Sequence, residues 1–137
     1  MVIQTSNWRA FNLSLTSVVT NMYTLNVGVS DKIMMPWLKN MPYMDCSDEG
    51  EAVAIGAGYF LATGKKANVF MSADGFCNAL NFLTSWVIPE KLRMNIVIST
   101  GRQEAPHKVM SDILSRLILL IPHDPDTLSF EFVQKES

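Results

Sequence analysis

Apolar and polar positions along the chain follow two alternating periods, which predict helices and strands in turn. Apolar residues recur at helical spacing from Trp8 to Tyr23, and again in a final segment from about His107 to Leu120. Shorter and denser apolar runs predict buried strands at LNVGVS (25–30), ANVFMSA (67–73) and MNIVIST (94–100). The segment PYMDCS (42–47) is too short to separate strand from loop.

Helix signals fill the intervals between these strands. Asp31 can cap a helix through IMMPWLKNM (33–41), and a second helix is predicted from Glu49 to a C-cap at Gly64. The segment DGFCNALNFLTSWVI (74–88) predicts a loop that turns into a helix. Because parallel strands need crossover connections, we predict an α/β domain: a doubly wound, mostly parallel sheet with helices on both faces.

The length of 137 residues fits a single domain that spans residues 1–137. Its C-terminal stretch, residues 123–137, is predicted either to add an edge strand at LSFEFV (128–133) or to lie against a partner as an interface tail.

Composition and charge narrow the functional classes. The 11 Lys and Arg against 13 Asp and Glu leave a net charge of −2, with no basic run that could follow a phosphate backbone, so we expect no nucleic acid partner. Apolar residues make up 48% of the chain and charged residues 18%, and a domain this small would expose part of that apolar surface. We therefore expect a face that another subunit covers.

Cysteine content and the N-terminal sequence bear on the compartment. Cys46 and Cys77 have no metal-ligand spacing and are too few for a disulfide framework, so we expect a reducing, cytoplasmic setting. The N-terminus has no basic start followed by an unbroken apolar stretch, as a signal peptide would. The most apolar run, ILSRLILLIP (113–122), is shorter than the roughly 20 residues of a membrane span, and we expect no membrane partner.

The polar residues of interest follow the predicted strands. Asp31 follows the first strand, Glu49 begins the next helix, residues 72–78 follow ANVFM, and residues 102–107 follow MNIVIST. Ligands of open α/β sheets gather at the carboxyl ends of the strands, so these residues would lie along one edge of the fold. Polar loops occur at that edge in any doubly wound sheet, so the pattern alone does not decide whether these residues form one site.

Two glutamates, Glu49 and Glu51, open the helix in the segment SDEGEAVAIGAGYF (47–60). An acid in the first turn of a helix is favourable by ~0.3–1 kcal/mol through the dipole alone, so Glu49 could be a cap and nothing more. The alternative is that Glu49 is the proton-handling group of a buried site. Glu51, two residues on, faces a different side of the helix, and we expect it to face solvent or an interface.

The segment from Asp48 to Ser85 resembles the pyrimidine-binding domain of thiamine diphosphate-dependent decarboxylases, above all the sulfopyruvate and phosphonopyruvate decarboxylase branch. That branch opens with Asn/Asp-Glu-Gly-Glu-Ala, continues with a small-residue helix and a strand, and reaches a Ser-Gly-Leu-Gly-Asn-Ala-Leu-Asn-Pro-Leu-Thr-Ser loop and helix. Gly-Val-Ser-Asp at 28–31 is similar to the family's Gly-Val-Pro-Asp turn, and Ser-Thr-Gly-Arg at 99–102 to its strand ending in arginine. The resemblance runs in order from about residue 15 to 120, and it implies the thiamine diphosphate-binding fold.

The resemblance also implies a catalytic role for Glu49. In this family the glutamate hydrogen-bonds N1′ of the cofactor's pyrimidine ring and favours the tautomer that removes the C2 proton of the thiazolium ring, which prepares the cofactor to decarboxylate a 2-oxo acid. The loop that starts at Ser72 would pass its backbone beside that ring. Gly75 would permit a tight turn, Phe76 would pack against the ring, and Asn78 would cap the following helix within this cofactor-binding loop.

The loop also departs from the family pattern. Asp74 and Cys77 stand where relatives have glycine, and Phe82 stands where they have proline. We expect Cys77 to be a buried small side chain rather than a nucleophile.

Substrate contacts follow from the flanking matches. Asp31 matches an aspartate near the family's reacting centre, where it would assist proton transfer or order a water; an N-cap role is the alternative. Arg102 would bind a carboxylate, sulfonate or phosphonate bidentately, with help from His107 and Lys32. For His107 a helix-start or surface role is equally open. Ser30 and Lys32 replace the family's proline and serine, so the acid accepted could differ from that of the best-known relatives.

The family's second domain carries a Gly-Asp-Gly signature that holds Mg²⁺ and the diphosphate, and these 137 residues do not contain it. We therefore expect thiamine diphosphate to bind between this chain and a separate diphosphate-binding beta subunit, which holds the Mg²⁺. The assembly is expected to be a hetero-oligomer with at least two copies of each chain. The expected function is that of an alpha subunit of a two-component 2-oxo acid decarboxylase. A carboligase subunit and a non-catalytic scaffolding subunit are the alternatives, and a flavodoxin-like regulatory domain ranks below them because no phosphate-cradling glycine loop is present.

Overall fold

The computed structural model describes residues 2–5, 24–30, 38, 42–100, 105–121, 123–124 and 126–134. Within these, only the backbone is described for residues 2–5, 105–108, 110, 111, 115, 119 and 134. The helix predicted for residues 8–23 lies outside them. Of the helix predicted through residues 33–41 only Leu38 is described, and it is helical and fully buried.

Six strands form one sheet, and every pair of neighbours in it is parallel. In chain order they are β1 (Val2–Thr5), β2 (Asn26–Gly28), β3 (Met44–Asp45), β4 (Ala67–Ser72), β5 (Met94–Thr100) and β6 (Leu128–Gln134). Their order across the sheet is β1-β6-β5-β4-β2-β3. The α/β class and the parallel sheet are thereby confirmed, and PYMDCS does contain a two-residue strand.

The prediction of an edge strand at LSFEFV was wrong about its position. The strand forms, but it pairs with β5 on one side and with β1 on the other. No strand is predicted from the sequence at Val2–Thr5, and without that strand β6 would be the last of the sheet.

Three helices and one π-helical turn connect the strands in the described part of the chain. They are α1 (Glu49–Thr63), α2 (Phe76–Phe82), the π-helical turn Leu83–Val87 and α3 (Ala105–Leu120). The connections β3 to β4, β4 to β5 and β5 to β6 run in the same direction across the sheet. Because such crossovers are right-handed, α1, α2 and α3 share one face.

The burial pattern separates the two faces of the sheet. On the helix-covered face, alternate residues of β4, β5 and β6 form one core with side chains of all three helices: Val69, Met71, Ile96, Ile98, Phe130, Val53, Phe76 and Leu114 are members. On the opposite face Phe70, Val97 and Val133 are also at most 1% exposed. Both faces are therefore shielded from solvent.

Small residues let α1 lie close to the sheet. A Cβ built on Gly56 would stand 2.9 Å from Cγ2 of Val69, so even alanine at this position would crowd the strand beneath. The helix ends as predicted, with Gly64 in the left-handed region at φ 72° and its N–H donating to the carbonyl of Phe60 at 2.7 Å.

A ladder of amides crosses the sheet on the face opposite the described helices. Asn26, Asn68, Asn95 and Ser129 are in register on four adjacent strands. Nδ2 of Asn68 donates to Oδ1 of Asn26 at 3.0 Å, Nδ2 of Asn95 donates to Oδ1 of Asn68 at 3.1 Å, and Oγ of Ser129 donates to Oδ1 of Asn95 at 2.7 Å. Asn68 is fully buried, so its amide depends on these neighbours for its hydrogen bonds.

Several large apolar side chains are exposed. In the described residues they are Met44, Leu61, Phe82, Val109, Ile113 and Leu120. Three of them lie on α3. No helix in the described ranges is both long and apolar enough to cross a membrane.

Candidate functional site

The predicted site lies where the strand order reverses. From β2 the chain passes to β3 on one side, and from β4 it passes to β5 on the other, yet β2 and β4 are neighbours. A crevice outside the carboxyl ends of two such strands is the usual ligand position in open α/β sheets. Helix α1 follows β3 and α2 follows β4, so the starts of both helices lie beside this crevice.

The start of α1 has its own capping residues, and Glu49 is not one of them. Asp48 is the N-cap, and its Oδ1 accepts the N–H of Glu51 at 2.9 Å. The Glu51 carboxylate reaches back to Ser47, where Oε2 accepts from the backbone N–H at 2.8 Å and from the hydroxyl at 2.6 Å. These donors lower the pKa of Glu51, which is exposed as predicted.

Glu49 instead turns inward from the first position of α1. It is only 7% exposed, and Nδ2 of Asn78 in α2 donates to its Oε2 at 2.8 Å. Among the described residues, Asn78 is the only one that hydrogen-bonds this side chain. Beyond this one donor from the described residues, the carboxylate could accept further hydrogen bonds, since an ionised carboxylate can accept about four.

Gly75 makes room for that carboxylate. A Cβ built on Gly75 would overlap Oε1 and Cδ of Glu49, so the acid lies directly against the glycine backbone. Gly75 has φ −81° and ψ −16°, which any residue can adopt. Glycine is therefore required here for space and not, as its predicted turn role suggests, for backbone conformation.

The loop that carries Gly75 is tied to the end of β4. The N–H of Gly75 lies 3.2 Å from the carbonyl and 3.3 Å from Oγ of Ser72, and the N–H of Ala73 donates to the carbonyl of Ser99 at 3.0 Å. The predicted residues Glu49, Ser72, Gly75 and Asn78 are thus brought together at one edge of the sheet.

A second close approach joins the two helix starts. A Cβ on Gly50 would stand 2.9 Å from the backbone oxygen of Asn78 and 2.9 Å from Cε2 of Phe82. The absence of a side chain at Gly50 therefore lets α2 pack near enough for Asn78 to reach Glu49.

Three details of the predicted loop differ in the structure. Asn78 does not cap α2, because the N-cap position is Gly75 and the helix begins at Phe76 with no side-chain cap. The amide of Asn78 donates to Glu49 instead. Phe76 is fully buried and meets Phe130 edge to face with ring centroids 6.1 Å apart, so its side chain belongs to the core and not to a ligand surface. Cys77 is exposed, which contradicts the expected buried position.

Cys46 lies between β3 and α1 and is half-buried. Burial raises the pKa of its thiol, and the acids Glu51, Asp45 and Asp48 raise it further, against a smaller lowering by the backbone of Gly28. Because the thiolate is the nucleophilic form, this environment does not favour a nucleophilic cysteine.

The predicted substrate residues are not tested by the structure. Asp31, Lys32 and Arg102 lie outside the described residues. His107 falls in the first turn of α3, where only the backbone is described. Their roles stay predictions.

One polar contact at this edge was not predicted from the sequence. Oδ1 of Asp45, at the end of β3, accepts the N–H of Ser30 at 3.2 Å and lies 3.4 Å from the hydroxyl of Tyr43. Asp45 thereby ties the end of β3 to the segment that follows β2. The Gly-Val-Ser-Asp match at 28–31 drew attention to Asp31, one residue beyond this contact.

No group of three or more His, Cys, Asp and Glu side chains that could hold a metal ion occurs within the ranges that the structure describes. Among the described residues, the carboxylate of Glu49, the amide of Asn78 and the backbone at Gly75 are the polar groups that meet at this site. Comparison with known proteins adds no assignment: no protein-family model matches the chain, and no curated protein matches it.

Proposed function

We propose that this chain is the pyrimidine-binding alpha subunit of a two-component thiamine diphosphate-dependent 2-oxo acid decarboxylase. The observation that carries the proposal is the inward, 7% exposed carboxylate of Glu49 at the carboxyl edge of a parallel sheet. The fold does not need this acid as a cap, since Asp48 and Glu51 fill the capping positions. The sequence resemblance to the decarboxylase family assigns the same residue to the cofactor.

The residues present fit the pyrimidine side of thiamine diphosphate. Glu49 offers carboxylate oxygens to a protonated ring nitrogen, with Asn78 fixing Oε2 and the Gly75 backbone at the other oxygen. When bound, the cofactor supplies the electron sink for loss of carbon dioxide. The part of this chain is to hold a proton between Glu49 and the ring in a site from which water is largely excluded.

A partner subunit would complete the site. The resemblance assigns Mg²⁺ and the diphosphate to a Gly-Asp-Gly domain, and we propose that a separate beta subunit supplies it. Two exposed apolar side chains lie near the crevice: Met44, in the two-residue strand β3, is 47% exposed, and Phe82 is 38% exposed beside the start of α1. Apolar surface at this position is expected where two subunits share a ligand.

The matched pair Glu49→Gln and Glu51→Gln tests the proposal, because both change an acid to an amide in the first turn of one helix. The partner would be sought as a Gly-Asp-Gly protein encoded beside this chain and confirmed by co-purification. We expect thiamine diphosphate with Mg²⁺ to bind tightly only to the mixture of both chains. Glu49→Gln should lower decarboxylation by about 100-fold or more, the range for loss of a general acid-base group, while Glu51→Gln should stay near wild type.

Three outcomes separate the alternatives. Full activity of the Glu49→Gln complex would remove the catalytic role. Cofactor binding with no carbon dioxide release from any 2-oxo acid, but with ketol formation from aldehydes, would favour the carboligase. Association with a partner but no dependence of cofactor binding on Glu49 would favour the scaffolding subunit.

A further inference from the structure

We infer that Asn78 is a positioning residue for Glu49, and that its side-chain N–H, rather than its packing, performs this role; the inference rests on the proposed function. The sequence motif suggests a helix cap at Asn78, and the structure shows no such cap. What it shows is a 2.8 Å hydrogen bond from Nδ2 to Oε2 of Glu49, between residues 29 positions apart.

The geometry of the contact is selective for one carboxylate oxygen. Asn78 takes Oε2, and Oε1 is the oxygen nearest to the site of a Cβ on Gly75. With no other hydrogen bond to the side chain from the described residues, the Asn78 amide is what fixes rotation of the carboxylate. Oε1 lies against the Gly75 backbone and receives no hydrogen bond from the described residues, so it is the oxygen that can still accept a ligand proton.

The chemistry of the donor matters as well as its position. Asn78 contributes an uncharged N–H, which can fix the acid without pairing its charge as lysine or arginine would. Asn78 itself is exposed, so its side chain forms little of the core. A residue kept only for packing would be expected to have a larger buried surface than this.

Four variants separate donation from packing. Asn78→Asp keeps the shape and removes the donor, and it places a second carboxylate against Glu49. Asn78→Ala removes both shape and donor. Asn81→Ala is the matched control, since Asn81 is exposed on the same helix and bonds Ser85 instead. Asn78→Gln keeps an amide donor on a longer side chain.

The first readout is a crystal structure of each variant of the full chain, which needs no cofactor. We expect the Glu49 carboxylate to rotate or move in Asn78→Ala and Asn78→Asp and to stay in place in Asn81→Ala. An unmoved carboxylate in Asn78→Ala would overturn the inference, whatever the complex does.

The second readout is kcat and KM in the complex with the partner subunit. Loss of one hydrogen bond to a charged group should lower kcat by about 10- to 100-fold in Asn78→Ala, with a smaller change in the KM for the 2-oxo acid. Asn78→Asp should be at least as impaired as Asn78→Ala, Asn78→Gln should recover part of kcat, and Asn81→Ala should remain within about twofold of wild type. If Asn78→Asp is milder than Asn78→Ala, shape and not donation is what matters, and the inference is wrong.

The wild-type complex distinguishes this failure from failure of the proposed function. Should the wild type bind no thiamine diphosphate, the proposed function and the catalytic consequence of Asn78 both fall. If the wild type is active and Asn78→Ala is equally active, only the role of Asn78 is refuted.

Discussion

Replacing Gly75 by alanine should displace the Glu49 carboxylate, and the cost should depend on whether that carboxylate is present. The new Cβ would overlap Oε1 and Cδ of Glu49, so the acid must move. The backbone of Gly75, at φ −81° and ψ −16°, accepts alanine without strain. Steric conflict with one side chain is therefore the main expected effect.

The magnitude follows from two contributions. Forcing extra volume into a packed contact costs about 1–3 kcal/mol, and some of the hydrogen bond from Asn78 is lost with it. The entropy that alanine removes from the unfolded chain, about 0.4–1 kcal/mol, is roughly offset by glycine's advantage over alanine at an N-cap. We expect Gly75→Ala to lower the free energy of unfolding by about 2 kcal/mol, or roughly 6–10 °C in Tm for a chain of this size.

A double-mutant cycle with Glu49→Ala measures the specific part. The backbone and capping contributions are the same in both backgrounds and cancel, so Gly75→Ala should cost less than about 0.5 kcal/mol once Glu49 is truncated. Gly58→Ala is the control, because Gly58 lies in α1 with nothing within 4 Å of a built Cβ, and alanine there should stabilise the protein by about 0.5–1 kcal/mol. Urea unfolding of the four cycle variants supplies the data. Equal costs of Gly75→Ala with and without the Glu49 side chain would refute the packing of the acid against this glycine.

Three further outcomes are expected elsewhere in the chain. Asn68→Ala should lower the free energy of unfolding by about 2–4 kcal/mol in urea titrations, because it removes the hydrogen bonds that Oδ1 of Asn26 and Nδ2 of Asn95 make in the ladder; a change below about 0.5 kcal/mol would contradict the ladder. The folded-state pKa of Glu51 is lowered, so its contribution to stability is present above the unfolded value of about 4.3 and is lost as the pH falls through the folded pKa. Stability curves in acid should therefore be flatter for Glu51→Gln than for wild type. In thiol titration with a disulfide reagent, exposed Cys77 should react about tenfold or more faster than Cys46, whose pKa is raised; equal rates would count against the burial of Cys46.

The central strands could be predicted because their signal is local. Runs such as MNIVIST combine β-branched residues with breakers on both sides, and the strand there has the same bounds as the prediction. The helix from Glu49 to Gly64 was equally predictable from its small apolar residues and its C-cap glycine, although its N-cap, Asp48, was not predicted. The position of β6 was not, since a strand is internal only if another pairs beyond it, and Val2–Thr5 has too few residues to carry a pattern of its own.

The candidate site was also predictable only in part, because contacts between segments that are distant in the sequence have no local signal. The resemblance directed attention to Glu49, Ser72, Gly75 and Asn78, and these four do come together. The contact between Glu49 and Asn78, however, depends on how closely two helix starts approach at Gly50, which no local pattern reports. The ladder through Asn68 does have a signal in hindsight, because an asparagine occupies the first or second position of β2, β4 and β5.

The three acids at the start of α1 differ in what they contribute to folding, and this difference bears most directly on function. Asp48 and Glu51 satisfy donors at the helix start and remain in water. Glu49 gives up most of its hydration, which costs free energy, and receives from the described residues one neutral donor and the favourable end of the helix dipole in return. Truncating it should therefore leave the fold no less stable, so the Glu49→Ala arm of the cycle should unfold at or above the wild-type urea midpoint. That result would favour a ligand as the reason for the acid, whereas a large loss of stability in Glu49→Ala would make it a structural residue instead.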